Sequence, residues 1–384
     1  MRYGLRGTHM EPMRTGRILP VVPRARSSRQ SAMNASDDAK LGAEAETNGT
    51  TTAENTGWEV ITVGVLFAST LVGNVLLLVA LVMERGRMTR LFYFIGHCCV
   101  ADLITAFFTD FTQMIWKIYT WWYGGNVACK LLKYLQVLGM YLSSYVFVMM
   151  SLDRYQAICH PMSYQRRSYA KWKIATAWFL ALMFSIPQLV IFSAVDFEDK
   201  DGTTKTQCYG TFAVEWGERA YVTFFVTTNF FVPLVVVTFS YVNIYWTIWT
   251  NARRKEIAAR TGRGDGAVNP RASSSENISK AKLKTAKLTT VVIGCYIVCS
   301  APFSVTLLWI VYAGADVVTE ALGPLVVSVF AHMLALNSSV NPWIYMFFNR
   351  NLLRNLGGLF ACVRGRGLAA PARSVYRSAT PSTF

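Results

Sequence analysis

Charge is scarce in this chain, and acidic charge scarcest: 16% of its 384 residues are charged, with 22 Asp and Glu against 38 Lys and Arg. A soluble domain of this size carries more charge and breaks its apolar residues into shorter runs. The eight cysteines show no metal-ligand spacing, which removes zinc. No nucleophile–base pair, phosphate-cradling loop or metal triad is present, so an enzyme is the poorest reading. No internal repeat appears, and ionisable residues do not track along a central path, which counts against the alternative of a transporter or channel.

Long apolar runs are what the chain has in plenty, with 53% hydrophobic residues and a mean hydropathy of +0.29. The clearest is Val60–Met83, free of charge, against roughly 20 residues needed to cross the hydrocarbon core. Similar stretches cover about 91–116, 130–152, 174–195, 220–249, 288–312 and 323–348. The expected fold is therefore an all-α membrane protein, a seven-helix bundle.

The +16 net charge has a distribution that excludes nucleic acid as its partner. Arg85, Arg87 and Arg90 fill the first connection, Arg166, Arg167, Lys171 and Lys173 the third, and Arg253 through Lys287 the fifth. The tail after the seventh run is basic too, with no acidic residue. The alternate connections are acidic: 196–218 carries Asp196, Glu198, Asp199, Asp201, Glu215 and Glu218 against two lysines. Basic residues on every other loop give the positive-inside pattern, which puts the N-terminus outside and the C-terminus in the cytoplasm. The Arg-rich residues 1–29 run against export, but no basic residue lies between Leu41 and the first run, and nearby charges dominate orientation. No signal-peptide core is visible, so the first run serves as signal anchor. Residues 1–57 read as an extracellular disordered tail whose sequons at Asn34 and Asn48 are glycosylation acceptors. Translation from Met33 would deliver that tail without its basic leader. Residues 256–279, rich in Gly, Ser and Arg, read as mobile, as do 363–384.

Polar residues inside the runs need partners, because lipid offers none. Asn74, Asp102, Ser143, Asn337, Ser338 and Asn341 could satisfy one another, and Asp102 with Ser143 and Asn341 could hold a sodium ion; a purely structural network is the other reading. Pro187, Pro233, Pro302 and Pro342 each interrupt a run and free a carbonyl that neighbours must satisfy. Cys129 and Cys208 both fall on the predicted outer side, where a bridge would tie the acidic loop over the bundle mouth; two free thiols are the alternative. Residues 349–362 read as a short amphipathic eighth helix, with Cys362 a palmitoylation candidate that would anchor it to membrane lipid.

Asn74, Asp102, Asp153-Arg154-Tyr155, Trp178, Pro233 with Tyr241, Pro302 and Asn341-Pro342-Trp343-Ile344-Tyr345 together resemble the marker set of rhodopsin-like G-protein-coupled receptors. Phe107-Phe108 with Gln113-Met114, Leu135-Gln136-Val137 with Gly139-Met140, and above all Trp216 through Thr223 resemble the vasopressin/oxytocin receptor family. That resemblance implies an extracellular peptide ligand, a cyclic amidated nonapeptide held by Gln113, Lys133, Gln136, Gln188, Phe303 and Leu307. It implies a heterotrimeric G protein contacted through Arg154, with Tyr241 and Tyr345 turning inward as the sixth run swings out. Gq and calcium release is the implied pathway, Gs and cyclic AMP the runner-up. From composition, Ser374, Ser378, Thr380, Ser382 and Thr383 of the tail are candidates for phosphorylation by receptor kinases and recruitment of arrestin, and the plasma membrane is the implied location. Receptors of the neuropeptide S or crustacean cardioactive peptide type are the nearest alternative. Gln136 excludes an amine receptor, which needs a carboxylate there, and the seventh run lacks the lysine of a retinal Schiff base. Two departures stand out: the family's Cys-Trp-Ala-Pro reads Cys299-Ser300-Ala301-Pro302, and Ser304 and Leu307 replace an aromatic and an amide. Phe303 and Trp309 are the aromatics left to take over the missing tryptophan's part. No acidic residue on the sixth run faces Arg154, since Lys280, Lys282 and Lys284 occupy that end, which leaves Asp153 as its partner.

Overall fold

The computed structural model describes residues 35–84, 89–119, 121–161, 168–198, 203–260, 270–349, 352–354 and 356–357, with backbone alone over 35–56, 168, 255, 258–260 and 270–285. Seven helical stretches among them are long and apolar enough to cross a membrane. The first, Gly57–Met83, is the end of helix α1 (Ala35–Met83). The second, Arg90–Ile118, joins α2 (Arg90–Thr105) to α3 (Phe111–Ile118) through a π-helical turn, Ala106–Asp110. The third is α4 (Gly125–Cys159), the most enclosed of all. The fourth, Tyr169–Ile191, is α5 (Ser168–Ser185) and α6 (Pro187–Ile191). The fifth, Gly217–Arg254, runs through α7 (Gly217–Val226), a second π-helical turn, Thr227–Phe231, and into α8 (Val232–Arg260). The sixth, Ala286–Ala313, belongs to α9 (Pro270–Ala313), and the short α10 (Ala315–Leu322) leads to the seventh, α11 (Pro324–Phe348).

Proline governs the local geometry of these helices. Pro233 removes a backbone donor and frees the carbonyl of Asn229, within the second π-helical turn. The hydroxyl of Tyr296, from the sixth span, donates to that carbonyl at 2.8 Å. Pro342 frees the carbonyl of Ser338 in the same way, and Asn74 Nδ2 of the first span donates to it at 3.2 Å. Each kink thus hands a hydrogen bond to another helix, as a lipid-embedded backbone requires. At Pro187 the fourth span breaks between α5 and α6, while α9 stays continuous through Pro302.

Small residues set the closest approaches. A Cβ on Gly139 would lie 2.6 Å from Thr105 Oγ1 and 3.0 Å from its backbone nitrogen, so the second and third spans touch there. A Cβ on Gly73 would lie 2.7 Å from Pro342 Cγ, where the first span meets the seventh. Around these contacts one large apolar core joins Leu77, Phe94, Tyr141, Leu142, Phe147, Tyr296, Phe303 and Tyr345. A second, smaller cluster packs Val148, Val237, Tyr241, Ile244 and Ile293.

Several boundaries differ from the sequence reading. The fourth span ends at Ile191, and residues 192–195, expected within it, open strand β1 (Phe192–Glu198). This strand pairs antiparallel with β2 (Thr204–Gly210) and places Ala194 opposite Cys208. The acidic connection is therefore a hairpin, in whose first strand Val195 and Phe197 alternate with Asp196 and Glu198. Helix α1 starts at Ala35, so part of the tail read as disordered is helical backbone; it is rich in Ala and Glu and free of proline. Helices α8 and α9 likewise carry 256–260 and 270–279, with Pro270 in the first turn, which its fixed φ favours. Of the eighth helix, 352–354 and 356–357 are helical, and Leu352 and Leu356, one turn apart, are both buried. Asn34, Cys362 and the tail hydroxyls lie outside the described residues, and the side chain of Asn48 is likewise not described.

Candidate ligand and transducer sites

One end of the bundle is roofed by the hairpin. A disulfide joins Cys129, on the first turns of α4, to Cys208 in β2, with the Cα atoms 5.5 Å apart. Further ties hold the roof down: Trp122 N donates to Thr206 O at 2.9 Å, and Ala194 N to Asn126 Oδ1 at 3.1 Å.

Beneath it lie the amide and ammonium residues. Lys133 is buried, its ammonium 4.2 Å from the Trp116 ring centroid and 5.0 Å from that of Phe192, where cation–π attraction replaces water. Gln136 follows three residues on, hence on the same helical face, and is also buried. Gln188 is buried as the second residue of α6 and donates to the hydroxyl of Tyr221 on the fifth span. Gln113 is half-buried on α3. Phe303 and Leu307, one turn apart on the sixth span, are buried in the main core. Ser300, at the position of the missing tryptophan, has a buried hydroxyl with no hydrogen-bond partner among the described residues. Phe147 packs on Tyr296 at 5.6 Å, so a tyrosine one turn below Ser300 supplies aromatic contact with the third span. Trp309 is 39% exposed, unlike buried Phe303.

A polar cluster at the same end escaped the sequence reading. Glu59 pairs with Lys117, accepts from Ser328 Oγ at 2.6 Å, and so links the first, second and seventh spans. The Trp58 and His332 rings lie beside it, tilted by 49° with centroids 5.9 Å apart. The only sequence signal was an acidic residue just before a charge-free run and a lone lysine 58 positions later, too separated to pair by pattern.

Halfway along the bundle, Asp102 is wholly buried and accepts from Ser143 Oγ at 3.3 Å and Asn341 Nδ2 at 3.1 Å. Beside this network Asn74 Nδ2 donates to the Ser338 carbonyl freed by Pro342. Asn337 is buried one turn away, its Oδ1 without a partner.

The opposite end carries the charged triplet. Asp153 is buried completely and receives Arg154 Nη2 at 2.5 Å, as expected. It also receives Lys173 Nζ at 3.0 Å and, more distantly, Arg90 Nη1 at 3.9 Å. One carboxylate thus gathers three cations from three helices, which only the folded arrangement reveals. Tyr155 turns its hydroxyl to His160 Nε2 at 3.1 Å. The hydroxyls of Tyr241 and Tyr345 are buried; Thr289 lies beside the first and Cys98 beside the second, but among the described residues neither hydroxyl makes a well-formed hydrogen bond. Beside Tyr241 runs an apolar groove of about 600 Å³ between the fifth and sixth spans, lined by Tyr245, Trp246, Trp249 and Ile293. It is remote from the amide set.

Among the described residues no cluster of three or more His, Cys, Asp or Glu side chains could hold a metal ion. Residues 73–345 match the family model described as "7 transmembrane receptor (rhodopsin family)". The chain is also 34% identical over 309 residues to the isotocin receptor of Catostomus commersonii, an alignment covering 79% of this chain and 77% of that protein.

Proposed function

Because the chain belongs to the rhodopsin family of seven-transmembrane receptors, we propose that its ligand is a peptide of the vasopressin/oxytocin type. The observation that carries this reading is one constellation. Buried Lys133, Gln136 and Gln188 lie under a disulfide-tied hairpin, in a chain whose relative is an isotocin receptor. Amide side chains donate and accept together, which suits the backbone and terminal amide of a short peptide. A buried ammonium set against the Trp116 and Phe192 rings suits a ligand carbonyl. Half-buried Gln113 on the second span is proposed to complete the polar lining, and buried Phe303 and Leu307 its apolar part.

In this reading the hairpin end faces the exterior of the cell and the Arg154 end the cytoplasm, with the plasma membrane between. Agonist binding favours a packing in which Arg154 leaves Asp153 for a heterotrimeric G protein. Tyr241 and Tyr345 then bring their unsatisfied hydroxyls to support it. Gq with calcium release is the proposed pathway. Asn34 and Asn48 are proposed to carry glycans, Cys362 a palmitate, the tail hydroxyls phosphates that recruit arrestin, and Asp102 an allosteric sodium ion within the Ser143–Asn341 network.

The test is a calcium and cyclic AMP screen in cells expressing the full chain, challenged with vasopressin, oxytocin and isotocin. A saturable calcium response to at least one supports the reading. Silence in both readouts, with response to a neuropeptide S or crustacean cardioactive peptide, moves the ligand to that neighbouring class. Ser300 and Leu307 at the pocket floor are the residues that such a change would implicate.

A further inference from the structure

Asp153 divides its two oxygens between different helices. Arg154 Nη2 reaches Oδ2 at 2.5 Å, whereas Lys173 Nζ reaches Oδ1 at 3.0 Å and Arg90 Nη1 stands 3.9 Å from that same oxygen. The carboxylate is wholly buried, and the three cationic side chains around it are largely so.

The three partners arrive by different routes. Arg154 follows Asp153 in the chain, and successive residues of a helix do not share a face, so its side chain folds back to make the contact. Lys173 crosses from α5, and Arg90 from the first residue of α2, both helices being packed against α4. Further along, those two helices are tied to each other, where Trp178 Nε1 donates to His97 Nδ1 at 3.3 Å. Arg154 is therefore the partner that can swing away, while Lys173 and Arg90 stay with the framework. Its departure is eased twice. Three cations around a single negative charge repel one another, so Arg154 is held less tightly than in an isolated pair. Once it leaves, Oδ1 keeps its charge-assisted bond to Lys173, and the carboxylate is not stranded in the protein interior.

We propose that Lys173 is a positioning residue of the switch: it holds Asp153 in both packings and so lowers the cost of releasing Arg154 to the G protein, with Arg90 as a weaker second. This rests on the reading in which activation separates Arg154 from Asp153, and it adds which side chain of the fourth span sets how readily that happens. Lys173 acts through the charge of Asp153, so its influence must vanish where residue 153 carries none.

The measurement is the affinity of the purified, ligand-free full chain for nucleotide-free heterotrimeric Gq, Gs and Gi, read by biolayer interferometry. A G protein that binds only the open packing reports a change in the cost of opening directly as a change in affinity. Lys173→Met is expected to weaken the tightest of these interactions by about fivefold or more, and Lys173→Arg to keep it near wild type. On an Asp153→Asn background, Lys173→Met is expected to change nothing further. Should Lys173→Met fail to fold, Lys173→Gln, which keeps a donor for Oδ1 and loses the charge, carries the same comparison. A lysine with a merely structural part would lower the unfolding temperature and leave the affinities alone. Unchanged or tighter binding by the Lys173 variant, or an equal loss on the Asp153→Asn background, overturns the proposal. If Asp153→Asn itself binds no heterotrimer more tightly than wild type does, release of Arg154 is not the switch, and the inference falls together with that reading.

Discussion

Two tyrosine hydroxyls, on Tyr241 and Tyr345, are the clearest case of a residue built for a state other than the one described. Burying a hydroxyl without a partner costs about 1–3 kcal/mol, which phenylalanine in the same place avoids. Tyr241→Phe is therefore expected to leave the ligand-free receptor as stable as before, or more so, while lowering the maximal agonist response. A drop in both stability and response would assign the hydroxyl to the resting packing instead. Arg154 makes the opposite case, since its Asp153 bond at 2.5 Å is already formed. Arg154→Ala is expected to abolish signalling and leave peptide binding within a few-fold of wild type, read by radioligand saturation beside calcium release. Asp153 keeps Lys173 at 3.0 Å in that variant, so its carboxylate is not stranded and the receptor still folds.

At the scale of helices, the seven spans and their polar markers were legible because apolar length and a proline or asparagine inside lipid are local signals. The hairpin was not. Residues 192–198 and 204–210 are short, and β1 continues the apolar run of the fourth span until the pairing with β2 bends it away. Long-range pairs such as Glu59 with Lys117 and Asp153 with Lys173 were also illegible, because helix packing chooses them. Gly139 shows how that packing works: its missing side chain admits Thr105 of the second span. Gly139→Val is expected to cost about 1–3 kcal/mol by overpacking, seen as a lower unfolding temperature and less receptor at the cell surface. The hairpin's own test is Cys208→Ser. With the bridge to Cys129 removed, the roof over Lys133 and Gln136 keeps the bond from Trp122 N to Thr206 O, the one from Ala194 N to Asn126 Oδ1 and the contact of Lys205 with the Trp121 ring. Peptide affinity should fall by roughly tenfold or more, because the binding surface must then be ordered at each encounter.

Across the whole molecule, the two ends can influence each other only if one rearrangement changes both. The third and sixth spans supply the connection: Gln136 and Arg154 share α4, and Tyr296 on α9 packs on Phe147 between them while holding the carbonyl freed by Pro233. A shift of the sixth span must break or move that bond, so what happens at Arg154 is felt beneath the hairpin. Coupling of this kind is reciprocal in free energy, typically 5- to 150-fold in affinity. G protein added to membranes should thus tighten agonist binding by a factor in that range, and guanine nucleotide should reverse it. Tyr296→Phe, which keeps the ring and loses the bond to Asn229, should shrink the factor without changing agonist affinity in the absence of G protein by a comparable amount. Equal tightening in wild type and variant would place the connection outside the Tyr296–Pro233 junction, and the search would move to the seventh span, where Asn74 makes the matching bond across Pro342.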